Sequence, residues 1–189
     1  MDLGGLPDDE LAARFRDGDA AAFEALLGRY SGPIYSFALR FLGNSADADD
    51  AAQQTFIQAF EFLPASRGDG SLRPWLFQVA RNKCIDLIRK RRTLPISSIE
   101  RQEPESAQID PEDMAPLPAE LYERAELQQM LQDAIASLPL RSREVVLMRY
   151  VGDLTFGEIG RSLGMPENTA KTLFQRAKVQ LRVQLRKRL

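Results

Sequence analysis

Leu154-Thr155-Phe156-Gly157-Glu158-Ile159-Gly160-Arg161-Ser162-Leu163-Gly164-Met165-Pro166 carries two helix boundaries and a turn in one short stretch. Thr155 and Glu158 stand three apart ahead of an apolar run, the spacing of a capping box, and this predicts a helix start. Gly164 follows Leu163 where a left-handed cap must close that helix, and Met165-Pro166 relaunches the chain after a turn of about three residues. The pattern predicts a helix-turn-helix. Ile159 and Leu163, with Ala170, Leu173 and Ala177 of the second helix, are its inward positions, and the small Gly160 lets the two backbones approach. What remains outward is Asn168, Thr169, Lys171, Thr172, Gln175 and Arg176, near the N-terminal half of the second helix, the part that enters a major groove. Asn and Gln suit adenine, Arg and Lys suit guanine, and Thr suits a thymine methyl. Any bundle helix has a polar face. The coincidence of cap, turn glycine, small residue and basic face favours a reader of duplex DNA.

Working outward, apolar residues recur at helical spacing, and no alternating β-branched run is bounded by hairpin turns, so the chain reads as all-α. Helices are expected from about Asp8 to Arg16 and from Ala20 onward, the latter bent or interrupted at Gly32-Pro33. Gly43-Asn44-Ser45 should cap a further helix from about Ala46 to Phe62. Pro64 through Ser71 reads as a loop, and Pro74 as the first residue of a helix to about Arg92. From Thr93 to about Pro118 five prolines and many acidic residues replace the periodic apolar content, the profile of a tether. Later helices are expected over about 119–137, 141–150, 155–163 and 167–187. The expected architecture is therefore two small helical domains, residues 1–93 and 119–189, joined by a flexible acidic linker over 94–118. The second domain is a four-helix unit.

The formal net charge of −2 conceals segregation. Residues 1–66 hold 4 basic and 11 acidic side chains, 67–92 hold 8 and 2, 93–126 hold 2 and 9, and 127–189 hold 11 and 5. Two basic blocks thus alternate with two acidic ones, which fits two separated surfaces that contact a polyanion. One cysteine, Cys84, and no histidine exclude an internal disulfide and argue against a zinc site or a histidine relay, so no catalytic residue, metal or cofactor is expected. No apolar run is long enough to span a membrane, and the acidic start beyond Pro7 is unlike a signal peptide; a cytoplasmic location is expected.

A helix-turn-helix alone would suit a stand-alone transcriptional regulator, which stands as the alternative reading, and the first half favours another. Three segments stand in order there: Asp47-Ala-Asp-Asp50-Ala-Ala-Gln53-Gln54-Thr-Phe56-Ile-Gln-Ala-Phe60, then Arg67-Gly-Asp-Gly-Ser-Leu-Arg73-Pro-Trp75-Leu76, then Ala80-Arg81-Asn82-Lys-Cys-Ile-Asp86-Leu-Ile-Arg89-Lys90-Arg-Arg92. With Leu138-Pro139, Arg143-Glu144-Val145 and the helix-turn-helix, they make the chain resemble the bacterial extracytoplasmic-function (ECF) sigma factors over nearly its whole length outside the linker. The resemblance implies that the first domain binds core RNA polymerase, through Asp47, Asp50, Gln53, Gln54 and Phe56. It implies that Arg67, Arg73, Trp75, Arg81, Asn82, Asp86, Arg89 and Lys90 serve the −10 promoter element and its melting. The −35 element then falls to Asn168, Thr169, Lys171, Thr172, Gln175 and Arg176, and an anti-sigma factor is the implied regulatory partner. An acidic, amide-rich face beside an aromatic does suit a coiled-coil partner. Strand opening needs stacking and hydrogen-bonding side chains near a loop, while the run Arg89–Arg92 suits phosphate. Gln54 stands where the family usually has Glu, and Pro166-Glu-Asn168-Thr169-Ala170 departs from its Pro-x-Gly-Thr-Val.

Overall fold

The computed structural model describes residues 3–65, 71–93 and 119–186. They form α1 (Asp8–Arg16), α2 (Ala20–Leu42), α3 (Ser45–Phe62), α4 (Leu72–Thr93), α5 (Ala119–Ala136), α6 (Leu140–Tyr150), α7 (Phe156–Leu163) and α8 (Glu167–Arg186), with a 3-10 turn at Leu63–Ala65. Among the described residues there is no strand, as the all-α reading requires. The expected linker over 94–118 and the loop residue Arg67 lie outside the described residues.

Local chemistry sets most of the helix ends. Asp19 caps α2 by accepting the Ala21 N–H at 3.1 Å, and Asn44 caps α3 by accepting the Asp47 N–H at 2.8 Å. Gly43, at φ 83°, closes α2 in the left-handed region that glycine enters without strain. The expected break at Gly32-Pro33 is absent, and α2 runs unbroken through both residues. Proline removes the bond to the Arg29 carbonyl at a cost of about 3 kcal/mol. Tyr30, Ile34, Phe37 and Phe41 lie on either side of it and are each 1% exposed or less. Burying each such side chain gains roughly 1.5–3 kcal/mol, so packing holds the helix through the proline. Likewise α4 begins at Leu72, two residues ahead of the expected start, because Leu72 is buried. Pro74 is then its third residue, still in the first turn where amides have no intrahelical acceptor.

α1 to α4 wrap a core of Leu11, Phe15, Leu26, Phe37, Leu76 and Phe77, and the small Ala48, Ala51 and Ala59 let α3 lie close on its neighbours. In the second half Val145, Leu147, Met148, Leu154, Ile159 and Ala170 are all buried. Phe174 takes the inward position expected of Leu173, which is only partly buried; Phe174 meets Tyr150 and Phe156 edge-on or tilted, with centroids at 5.4 and 5.2 Å. The two halves are also packed on each other in one continuous core. Gln132 of α5 donates to the Leu39 and Arg40 carbonyls at 3.3 and 3.1 Å, and Arg143 of α6 to the Phe41 carbonyl at 3.1 Å. The Arg40 and Phe41 carbonyls at the end of α2 are thus capped from the other half, and the Leu39 carbonyl, which already accepts the Gly43 N–H at 2.8 Å, gains a second donor. Gly152 supplies the matching apolar contact, since a Cβ there would lie 3.2 Å from the Phe77 ring.

The predicted capping box is present: Glu158 accepts the Thr155 N–H at 2.7 Å, and Thr155 Oγ1 accepts the Glu158 N–H at 3.3 Å. Burial works against the Glu158 charge, but the Thr155 bonds and nearby Arg161 hold its carboxyl below the usual range. The folded carboxyl therefore titrates below its unfolded value, and its stabilisation is present at neutral pH and lost as acid protonates it. Thr155→Ala should cost about 1 kcal/mol, read by chemical denaturation, with the deficit shrinking as the pH is lowered through the carboxylate range.

Candidate nucleic-acid interface

α8 is oriented by the turn that precedes it. Gly164, at φ 65°, closes α7, and the Met165 N–H donates to the Gly160 carbonyl at 2.9 Å. A Cβ on Gly160 would fall 2.7 Å from the Met165 carbonyl oxygen, so the predicted close approach is real. With Ala170, Phe174 and Ala177 inward, the predicted outward set Asn168, Thr169, Lys171, Thr172, Gln175 and Arg176 is exposed together. Its members differ in freedom. Lys171 pairs with Glu167 at 2.6 Å, and the Thr172 hydroxyl donates back to the Asn168 carbonyl at 2.8 Å. Thr172 is therefore left to present its methyl, while the side chains of Gln175 and Arg176 make no hydrogen bond or ion pair among the described residues.

α4 divides its candidates between two environments. Asn82, Asp86, Arg89 and Lys90 are exposed, with Asp86 and Arg89 loosely paired at 3.9 Å. Arg73, Trp75 and Arg81 are partly buried. Trp75 stacks on Phe62 with centroids 4.9 Å apart and planes at 22°. Arg73 lies over the Tyr30 ring, donates from Nε to the Tyr30 hydroxyl at 3.4 Å, and reaches Asp153 in the α6–α7 turn at 3.6 Å. Burial and the hydrogen bond to Asp8 push the Tyr30 hydroxyl up to about 12, so it stays protonated. Arg81 donates from Nε and Nη2 to Glu144 Oε1 at 2.9 and 2.7 Å, and from Nη1 to Asn82 at 2.9 Å.

On α3, Asp50, Gln53 and Gln54 are exposed, whereas Phe56 is partly buried. Asp47 is turned inward: it accepts from Asn44 at 2.9 Å and pairs with Arg91 at 2.6 Å. The sequence reading missed Ile57 and Phe60, which are 50% and 54% exposed. Both follow Gln53 at i+4 and i+7, so one stripe of α3 runs from carboxylate and amide into apolar side chains. That spacing was the available signal. A groove between α3 and α4, lined by Asp50, Gln54, Lys83, Asp86 and Lys90, joins this stripe to the exposed end of α4. Among the described residues no cluster of His, Cys, Asp and Glu is placed to hold a metal, and no helix is long and apolar enough to cross a membrane. Cys84 is buried, and burial pushes its thiol up to about 12.

Two family matches fall on the two halves: Sigma-70 region 2 on residues 26–93 and Sigma-70, region 4 on residues 128–181. The chain is 32% identical over 173 residues to the ECF RNA polymerase sigma factor SigW of Bacillus subtilis (strain 168), which covers 90% of this chain and 92% of SigW. It is 30% identical over 175 residues to the ECF RNA polymerase sigma-E factor of Escherichia coli (strain K12), covering 92% and 91%. Among solved structures, CnrH in complex with the cytosolic domain of CnrY is similar at a TM-score of 0.69 and 25% identity, over 94% of this chain and 96% of that one. The sigma factor RpoE in complex with the anti-sigma factor NepR from Bartonella quintana shares the fold at a TM-score of 0.64 and 19% identity, over 87% and 96%.

Proposed function

We propose, from the premise that this chain belongs to the ECF RNA polymerase sigma factors, a division of its promoter-directing work among three helix faces. The exposed stripe of α3, from Asp50 and Gln53 to Ile57 and Phe60, docks on core RNA polymerase. Asp47 and Phe56 support that stripe from behind. The exposed end of α4, with Asn82, Asp86, Arg89 and Lys90, meets the −10 element as its strands separate, and Arg73, Trp75 and Arg81 join it from their partly buried positions. α8 reads the −35 duplex with Gln175 and Arg176 as its base-reading side chains, while Asn168, Thr169, Lys171 and Thr172 position the helix. The chain supplies specificity and the polymerase supplies the chemistry. An anti-sigma factor is the regulatory partner, which covers these faces when transcription is off.

The observation that carries this reading is the outward face of α8, held rigid by the capping box and the Gly160 turn and free of internal partners at Gln175 and Arg176. Run-off transcription with core polymerase on a genomic library, with start sites sequenced, tests it: start sites should share one −35 and −10 pair. A stand-alone regulator would give no start sites and would bind DNA equally well without polymerase. Within that assay Arg176→Ala should cost about 1–3 kcal/mol and relax preference at one or two base pairs. Lys90→Ala should weaken all promoters alike and lower the salt slope by about 1. Equal, sequence-independent losses from both would remove the base-reading role of Arg176.

A further inference from the structure

Glu144 of α6 is fully buried, and its carboxylate is gripped by charge from both halves. Arg81 of α4 closes on Oε1 through Nε and Nη2, and Arg141 reaches Oε2 at 3.4 Å. A guanidinium fork meets a carboxylate as it would meet a backbone phosphate, with charge-assisted bonds from two adjacent N–H groups. Farther along α4 the pattern repeats more loosely, with Arg73 on Asp153. The second half thus sets a carboxylate against each of two arginines on the helix assigned to the −10 element, while the Gln175–Arg176 face of α8 stays open.

We infer that Glu144 is an internal stand-in for promoter phosphate, which withholds Arg81 from −10 DNA while the two halves are closed on each other. The inference rests on the proposed role of α4. A carboxylate carried on the same chain competes at a high effective concentration, so DNA gains Arg81 only in the fraction of molecules that have opened. The polar part of the latch is soft, so what opposes opening is chiefly the apolar contact of the two halves at Gly152 and Phe77. Opening returns both partners to water, and a buried ion pair offers little net stability over its hydrated parts. Gln132 and Arg143 leave backbone carbonyls that water can satisfy equally well. Docking of α3 on polymerase, with the −35 duplex held by α8, draws the halves apart and frees Arg81 as the promoter arrives.

The test uses the full-length chain with spin labels on cysteines introduced at exposed Ser31 of α2 and Gln180 of α8, Cys84 being buried and unreactive. Glu144→Gln should lengthen the interspin distance and tighten binding to a mixed-sequence single-stranded oligonucleotide by about tenfold. Arg81→Ala in the Glu144→Gln background should reverse that gain. An unchanged distance with unchanged affinity overturns the latch. A longer distance with unchanged affinity overturns the withholding of Arg81, provided that Arg81→Ala still weakens binding. If Arg81→Ala has no effect in the open background, it is the assignment of α4 to DNA that fails. Should Glu144→Gln not fold, Arg81→Leu removes the pair from the α4 side and leaves Glu144 with Arg141. That variant should also lengthen the distance, and a wild-type distance overturns the latch.

Discussion

Asp50→Arg combined with Gln53→Ala should abolish co-purification with core RNA polymerase, while the melting temperature of the free chain should stay within a degree or two. Both side chains are exposed on α3, so their replacement touches no packing, and surface changes of this kind stay within about 0.5 kcal/mol. Their place on the helix is what makes them decisive. Gln53, Ile57 and Phe60 follow one another at i, i+4 and i+7, so carboxylate, amide and two large apolar side chains form a single ridge. A ridge of that composition suits a helical partner, with the apolar end supplying desolvation and the polar end supplying register. Arginine at position 50 sets a like charge against any basic partner residue and keeps the ridge hydrated. A hot-spot loss of 2–4 kcal/mol corresponds to a fall in affinity of roughly 30- to 1,000-fold, enough to empty a pull-down at micromolar protein. Run-off transcription should fail on every promoter, regardless of sequence. Retention of core polymerase at wild-type levels would remove α3 as the docking face.

How far the sequence discloses this molecule depends on whether a feature is made by neighbours in the chain. Thr155, Glu158, Gly164 and Pro166 act on backbone groups within a few residues of themselves, and the helix-turn-helix they imply is the one observed. Asn44 and Gly43 are equally local. Pro33 misleads because the force that overrides it is tertiary: Ile34 and Phe37 are buried against other helices, and no local pattern records that. Leu173 and Phe174 are adjacent and both apolar, so only the packing of Tyr150 and Phe156 decides which turns inward. The contacts between the halves are the extreme case. Arg81 and Glu144 are 63 positions apart, and Gln132 caps carbonyls more than 90 positions away. Arg81 reads from sequence as one more outward cation on a basic helix, yet it is held by a carboxylate of α6, far along the chain. Asp47 was expected on the polymerase face for the same reason, and its pairing with Arg91 turns it inward.

Gly160→Ala should separate the fold of the DNA reader from its bulk stability, because α7 contains a matched pair of glycines with opposite demands. In an exposed helix interior, glycine to alanine is worth up to about 1 kcal/mol in favour of alanine. Gly157→Ala should realise that gain. Its Cβ would meet the Glu167 carboxylate at 3.4 Å and the Arg161 guanidinium at 3.7 Å, the far ends of side chains that can give way. Gly160 has no such latitude, for its Cβ would lie 2.7 Å from the Met165 carbonyl oxygen and 3.3 Å from the Glu167 nitrogen. Those are backbone atoms of the turn and of the first residue of α8. The clash is relieved only by moving α8 away from α7, which breaks the Met165 N–H bond to the Gly160 carbonyl and uncovers Ile159 and Ala170. Overpacking of this kind costs about 1–3 kcal/mol, a loss of several degrees in melting temperature for a chain of this size. The functional loss should be larger than the thermal one. Gln175 and Arg176 lie two to three turns along α8, so a small tilt at its start displaces them by more than a hydrogen bond tolerates. Transcription that depends on the −35 element should fall by at least tenfold in Gly160→Ala, with polymerase binding intact and Gly157→Ala at or above wild type. If the two alanine variants behave alike in both melting and promoter selection, the Gly160 turn is not what aims α8 at the −35 duplex.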